Sequence, residues 1–498
     1  MRSKLRARCK TIGSTTLLLL AVSCIWVQPA RSQTQDSQTL DLQQLNNKLE
    51  QLEKELDEVK SEIRAAAASE KAPNSAAAPR GPAEEQKTST QPRPAVAIPS
   101  EAVIAQPQAG TVPLEGEITE RKDSVDLYGF VMLDSGYDFG QVNPNWYDVV
   151  RPTQLPSFAN EFAPSGNVYA GVRQTRFGVK SSTPTKFGDL NTIFEFELFG
   201  TGADAGQTTF RLRHAYGELG QIGAGQTWSP FMDIGVFPNT LEYWGPNGMV
   251  FFRNVQVRWM PIRSNRGSVT IALERPGASG DQGVYADRIE LANIRPRFNF
   301  PDLSGNARIV RDWGYVQMAG IVRKIGWVDT SGTAVNLGGS VVGWGVNLTS
   351  NLNLSKKNVA KLAFAYGAGI ENYMNDAPVD VGIQNNPPRS RVPVKGVALP
   401  MLGVVSFLDH TWSQRFTSSV GYSMLDIQNS SAQLPSDFHQ GHYAVGNLLY
   451  HPIPRVTMGG EFQFGRRVNF SDGFNVNDYR MQFSFKFDWD RSFKSPTL

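Results

Sequence analysis

Charged side chains recur at even spacings along several short stretches of this chain. Arg176 and Lys180 lie four apart, Glu195 and Glu197 two apart, Arg211 and Arg213 two apart, and Arg258 sits in Val255–Trp259. On an extended strand, even spacing puts side chains on one face. Paired carboxylates beside paired guanidiniums can then do two kinds of work. Facing water, they bias which ions approach, and guanidinium holds carboxylates in a two-pronged geometry. Facing each other across strands, they form cross-strand ion pairs with a structural role. Basic residues outnumber acidic ones here, and both roles fit. Catalysis does not: no nucleophile–base set, phosphate loop or zinc spacing stands out. His439 and His442, three apart on a strand start, point to opposite faces and make no metal pair. His214 reads as a wall residue rather than a general base. No metal, no cofactor and no enzymatic activity are expected.

Composition narrows the elements that position these charges. In 498 residues, Lys+Arg 49 against Asp+Glu 46 gives +3, so no basic field points to nucleic acid. Gly 46, Phe 28, Tyr 14 and Trp 10 make a β-rich composition, since aromatics favour strands and glycine favours turns. Both cysteines, Cys9 and Cys24, lie near the start. Past that start, no apolar run approaches the ~20 residues of a spanning helix. A spanning β-barrel stays open, because its apolar face alternates with a polar one.

The first residues read as an address. Arg2, Lys4, Arg6, Arg8 and Lys10 precede an apolar stretch centred on Leu17–Val22, and Ala30-Arg31-Ser32 fits a small-x-small cleavage site. A secretory signal is therefore expected over 1–32. Leu42, Leu45, Leu49, Leu52, Leu56, Val59 and Ile63 then alternate spacings of three and four, the seam of a coiled coil. With Leu42, Leu49, Leu56 and Ile63 at a, Lys48 faces Glu53 and Glu55 faces Lys60, which suits parallel chains. The other reading is one amphipathic helix packed on its own domain. A coiled coil over 33–64 and an Ala/Pro-rich linker over 65–122 are expected.

From Asp123 the period becomes two. In Leu190–Leu198, Phe194, Phe196 and Leu198 oppose Glu195 and Glu197, and Tyr479–Phe487 alternates likewise. Short connections fall at Thr183–Gly188, Gly217–Gln221, Ser264–Gly267, Asp312–Gly314, Leu354–Asn358, His410–Gln414 and Pro452–Pro454. Longer polar ones fall at about Ser135–Ala170, Gly200–Thr208, Ser229–Phe251, Pro276–Phe300, Asp329–Asn336, Asn372–Lys395, Asn429–Asp437 and Asn469–Asn475. Alternation of short turns and long loops marks an outer-membrane barrel, and counting between them gives about sixteen strands. The expected fold is all-β: a transmembrane antiparallel barrel over 123–489, preceded by the coiled-coil helix and linker, with a tail over 490–498. Trp259, Trp327, Tyr422, Tyr443, Tyr479 and Phe487 are expected in its lipid-facing girdles. A barrel this wide encloses water, so its inward charges matter.

The connection Ser229–Phe251 is too apolar for a segment in water: Phe231, Met232, Phe237, Leu241, Tyr243 and Trp244 should tuck into the barrel, with Arg253 at its return. Phe210–Gly217 (FRLRHAYG), Gly225–Asp233 (GQTWSPFMD), Gly245–Gly248 with Gln256–Arg258, Pro301–Gly305 and Asp312–Gly314 resemble the DcaP-like porin family, as does the N-terminal coiled coil and linker. The resemblance implies a trimeric, sixteen-stranded porin in outer-membrane lipid. It implies a pore constricted by the third loop that passes small anionic or dicarboxylic solutes. On this view the pore residues are Arg176, Lys180, Glu195, Glu197, Arg211, Arg213, Asp233, Glu242, Arg253 and Arg258. The sequence departs from the family at its end, where Asp488–Leu498 follow the aromatic Phe487. A barrel enzyme of lipase or protease type, or a structural or adhesive barrel, is the alternative.

Overall fold

A computed structural model describes residues 123–494; the expected signal, the seam from Leu42 to Ile63 and the linker lie outside the described residues. Period-two alternation folds here into one closed sheet. Its strands are β1 (Ser124–Asp138), β2 (Arg176–Thr185), β3 (Gly188–Phe199), β4 (Thr208–Leu219), β5 (Ile222–Trp228), β6 (Arg253–Ser264), β7 (Gly267–Glu274) and β8 (Asp302–Arg311). They continue with β9 (Gly314–Asp329), β10 (Gly339–Ser355), β11 (Asn358–Ala368), β12 (Pro400–Thr411), β13 (Phe416–Ile427), β14 (Phe438–Tyr450), β15 (Val456–Asn469) and β16 (Asn475–Lys494). Two short pieces, Asn167–Gly171 and Ile294–Pro296, pair with β1 and β9 and extend the interrupted β2 and β8. The 18 paired segments therefore make sixteen strands. Every neighbour is antiparallel, and β16 closes on β1 from Ser124↔Lys494 to Asp138↔Arg480. Closure leaves no unpaired edge, the condition a sheet must meet in hydrocarbon.

Turn chemistry sets the two ends. The short turn at Asp312–Gly314 needs Gly314, whose φ is 126° and whose Cβ would meet the Asn351 carbonyl oxygen at 1.9 Å. All seven short turns and all eight long connections fall where the sequence places them, within a few residues. Outward apolar residues such as Val131, Phe194, Phe210, Val257, Leu348 and Phe485 are exposed, while their inward neighbours Met132, Glu195, Gln256 and Ser484 are buried.

Several expectations change. The last strand does not stop near Phe487: Asp488 to Lys494 pair with Phe130 back to Ser124, so residues 490–494 belong to the wall rather than to a tail. Charge is tolerated there because it sits at the turn end, where Arg455 pairs with Asp490 at 2.7 Å. Trp259, Tyr422, Tyr479 and Phe487 face outward as expected. Tyr443 and Trp327 do not. Tyr443 is fully buried and donates to Glu242, and Trp327 donates to the Leu337 carbonyl oxygen and lies against Gly339. Both fall on inward positions, which parity counted from their own strands gives correctly.

Candidate functional site

The charged wall is built by β2, β3 and β4. The ladder sets Arg176 opposite Glu197 and Gly178 opposite Glu195. Between β3 and β4 the register slips: Glu195 faces His214 and Phe196 faces Leu212, leaving Arg213 as an extra residue. Such a bulge breaks alternation, so both Arg213 and His214 turn inward and are buried. Arg213 then reaches both carboxylates, with Nε 2.6 Å from Glu195 Oε1 and Nη1 2.7 Å from Glu197 Oε2. Arg176 Nη2 lies 3.2 Å from Glu197 Oε2, and Arg211 Nη1 and Arg253 Nη2 approach Glu197 Oε1 at 3.8 and 3.9 Å. Four guanidiniums thus surround two carboxylates, which leaves two positive charges in excess. Arg211 is the member open to solvent, with 29 % of its side chain exposed. One Nη atom of Arg253 is buried with no hydrogen-bond partner among the described residues.

Other expected residues stand apart from this group. Lys180 Nζ lies 4.9 Å over the Tyr128 ring, and Tyr128 donates to Glu195 at 2.7 Å. Arg258 donates to the Trp228 carbonyl oxygen at 2.6 Å and stacks on Tyr216. Asp233 is on the far side of the loop, where it accepts from Arg308, Tyr315 and Thr349. Glu242 accepts backbone N–H bonds from Val150, Trp244 and Gly245 and the Tyr443 hydroxyl. These two acids fasten the loop and do not join the arginines.

The third connection, residues 229–252, is held against inward faces. Phe231, Met232, Val236 and Phe237 form one apolar cluster with Ala319 and Ile321 of β9, Ala363 of β11, Val405 and Phe407 of β12, Leu425 of β13 and Val445 of β14. On this side the wall is apolar on both faces, which an aqueous lumen alone would not require. Polar anchors continue around the ring: Asn347 donates to the Phe231 carbonyl oxygen, Lys361 to that of Phe237, and Glu461 accepts from Leu241 N and Glu242 N. On the charged side, Tyr243 stacks on Phe199 at 4.1 Å and donates to Glu197. Trp228, whose ring lies 4.7 Å from the Arg253 guanidinium and 5.4 Å from that of Arg213, organises the arginine group with Tyr128 and Tyr243, and none of the three is a site residue expected from the sequence. Nothing in their spacing marks them, since they come from β1, β5 and the third connection. Arg308, which donates to Asp233, was not expected either, although it stands two residues from Asn306 on the inward face.

Elsewhere in the barrel three further buried ion pairs form: Arg323 of β9 lies between Asp302 and Asp380 at 2.9 and 2.8 Å, and Arg480 of β16 pairs with Asp138 of β1 at 3.1 Å. They follow the parity of the expected site without belonging to it.

Comparison with known proteins places this architecture. No curated protein matches the sequence. Among solved structures, the outer membrane channel DcaP of Acinetobacter baumannii aligns with a TM-score of 0.60 and 19 % identity, covering 76 % of this chain and 100 % of that one. An anion-selective porin from Comamonas acidovorans aligns at 0.49 and 10 % identity, over 74 % and 100 %. The first likeness establishes the fold. A family model for the DcaP outer membrane protein matches residues 103–481. With that match over a closed sixteen-stranded barrel, the chain belongs to the DcaP outer membrane protein family.

Proposed function

We propose that this protein is a porin giving passive diffusion of small solutes across the outer membrane. It prefers anionic organic acids, carboxylates and dicarboxylates, and its lumen is narrowed by the third connection. Its family and fold relate it to channels rather than enzymes. The observation that carries the preference is the excess of guanidinium over carboxylate on β2–β4 and the start of β6, with Arg211 open to solvent. In a narrow aqueous path between low-dielectric walls, surplus positive charge concentrates anions and repels cations. Guanidinium also binds carboxylate in a two-pronged way, favouring organic acids over chloride. Glu195 and Glu197 weaken the field without cancelling it.

The test is reversal potential in a salt gradient across a planar bilayer. Wild type is expected to favour anions. Arg211→Ala with Arg253→Ala should shift the potential toward cations and slow organic-acid uptake. Arg213→Ala should instead lower the yield of folded barrel, because stripping a partner from a buried ion pair costs about 3–5 kcal/mol. A cation-selective wild type, or an unmoved potential in the double variant, defeats the proposal.

A further inference from the structure

The lipid-facing wall carries a concavity of about 550 Å³ at the long-loop end of β5–β7. It exists because the chain leaves the ladder between Pro296 and Asp302, so that Phe298 and Phe300 stand beside the outward faces of Val255, Val257 and Leu273. Those three aliphatic side chains are 44, 56 and 53 % exposed. The rim is basic. Arg275 lines it, Arg297 donates to Asn299 on its edge, and Lys324 Nζ lies 5.3 Å over the Phe300 ring. All three are exposed, and among the described residues none is in an ion pair. An apolar trough for a chain, ending in unneutralised cations at the height of the headgroups, is complementary to one kind of molecule.

We propose that this concavity binds a phosphorylated, acylated lipid of the outer leaflet, an acyl chain lying on Val255, Val257 and Leu273 and a phosphate at Arg275, Arg297 and Lys324. Long loops mark the outer side of such barrels, which places the basic rim beside the outer-leaflet headgroups. Clustered Arg and Lys next to a membrane surface select anionic headgroups, and guanidinium suits phosphate oxygens. The site is independent of the solute that the lumen passes.

Native mass spectrometry of the full detergent-solubilised protein tests it, with diphosphorylated lipid A, its dephosphorylated form and inorganic pyrophosphate as probes. Wild type should retain lipid A, and the dephosphorylated form should bind at least about tenfold more weakly. Pyrophosphate at equal concentration should not displace the lipid. The triple variant Arg275→Ala/Arg297→Ala/Lys324→Ala should lose binding by a similar factor while migrating as a folded barrel. Ala224→Trp fills the trough with the charges intact and should also lose the lipid. Equal binding of the two lipid forms, displacement by pyrophosphate, or unchanged binding in either variant would overturn the proposal. So would a triple variant that keeps its lipid and changes its oligomer mass, which would make this face a subunit contact.

Discussion

Glu197 is fully buried, yet it accepts from Arg176, Arg213 and Tyr243 and lies under 4 Å from Arg211 and Arg253. A buried carboxylate survives only when so paired, so the arginines hold the acid as much as the acid holds them. Glu371, in the connection after β11, is the opposite case. It is buried, and neither carboxyl oxygen has a hydrogen-bond partner among the described residues. Burial first, and the Asp380 carboxylate next, push its carboxyl well above the ordinary value of 4.5. The folded protein therefore binds this proton more tightly than the unfolded chain. Stability should fall as pH rises from the unfolded value through the raised one, by up to about 1.4 kcal/mol per pH unit. Glu371→Gln keeps the neutral shape and should flatten that slope. Thermal unfolding followed by the β signal in circular dichroism, in one detergent over a pH series, would show it; parallel slopes for variant and wild type would refute the assignment.

At the scale of elements, β16 is the most informative strand. The run Asp488, Asp490, Arg491 and Lys494 looks unfit for lipid, but the ladder continues through it. Seven pairs, Phe130↔Asp488 through Ser124↔Lys494, join the last strand to the first at the turn end. Truncation after Phe487 should therefore open the seam there and reduce the heat-resistant folded band on a gel, whereas the sequence alone suggested a tail beyond the barrel. Full assembly of the truncated chain would show that these pairs are unnecessary. The strands and their connections were legible because period-two alternation survives almost everywhere and glycine and proline punctuate it. The arginine group was legible in part, since even spacing put Arg176, Glu195, Glu197, Arg211 and Arg213 on one face. What spacing cannot reveal is a bulge: His214 turns inward beside Arg213 because one residue is extra. Nor can it tell that Asp233 and Glu242 are spent on loop anchors, because their partners, Arg308 and Tyr443, come from distant strands.

The whole molecule divides its interior by chemistry. The third connection packs its apolar side against β9–β14 and leaves its Tyr243 edge to the arginines of β2–β4, so the proposed path for solute belongs on the charged side. The seam expected from the spacing of Leu42 to Ile63 would add a second means of assembly. About three heptads are marginal as an isolated helix, so their a/d residues gain most by meeting copies of themselves, and Lys48–Glu53 and Glu55–Lys60 suit chains running in parallel. Three copies of the chain in one membrane would bring three such seams together. We expect a homotrimer whose heptads assist it. Deleting residues 33–64 should shift native mass in mild detergent from three chains toward one, more so at low protein concentration, while each barrel stays folded, because the sixteen described strands all lie beyond the deletion. A trimer that resists this deletion at every concentration would assign assembly to the barrel walls alone. A monomer with the heptads intact would remove the idea of the trimer itself.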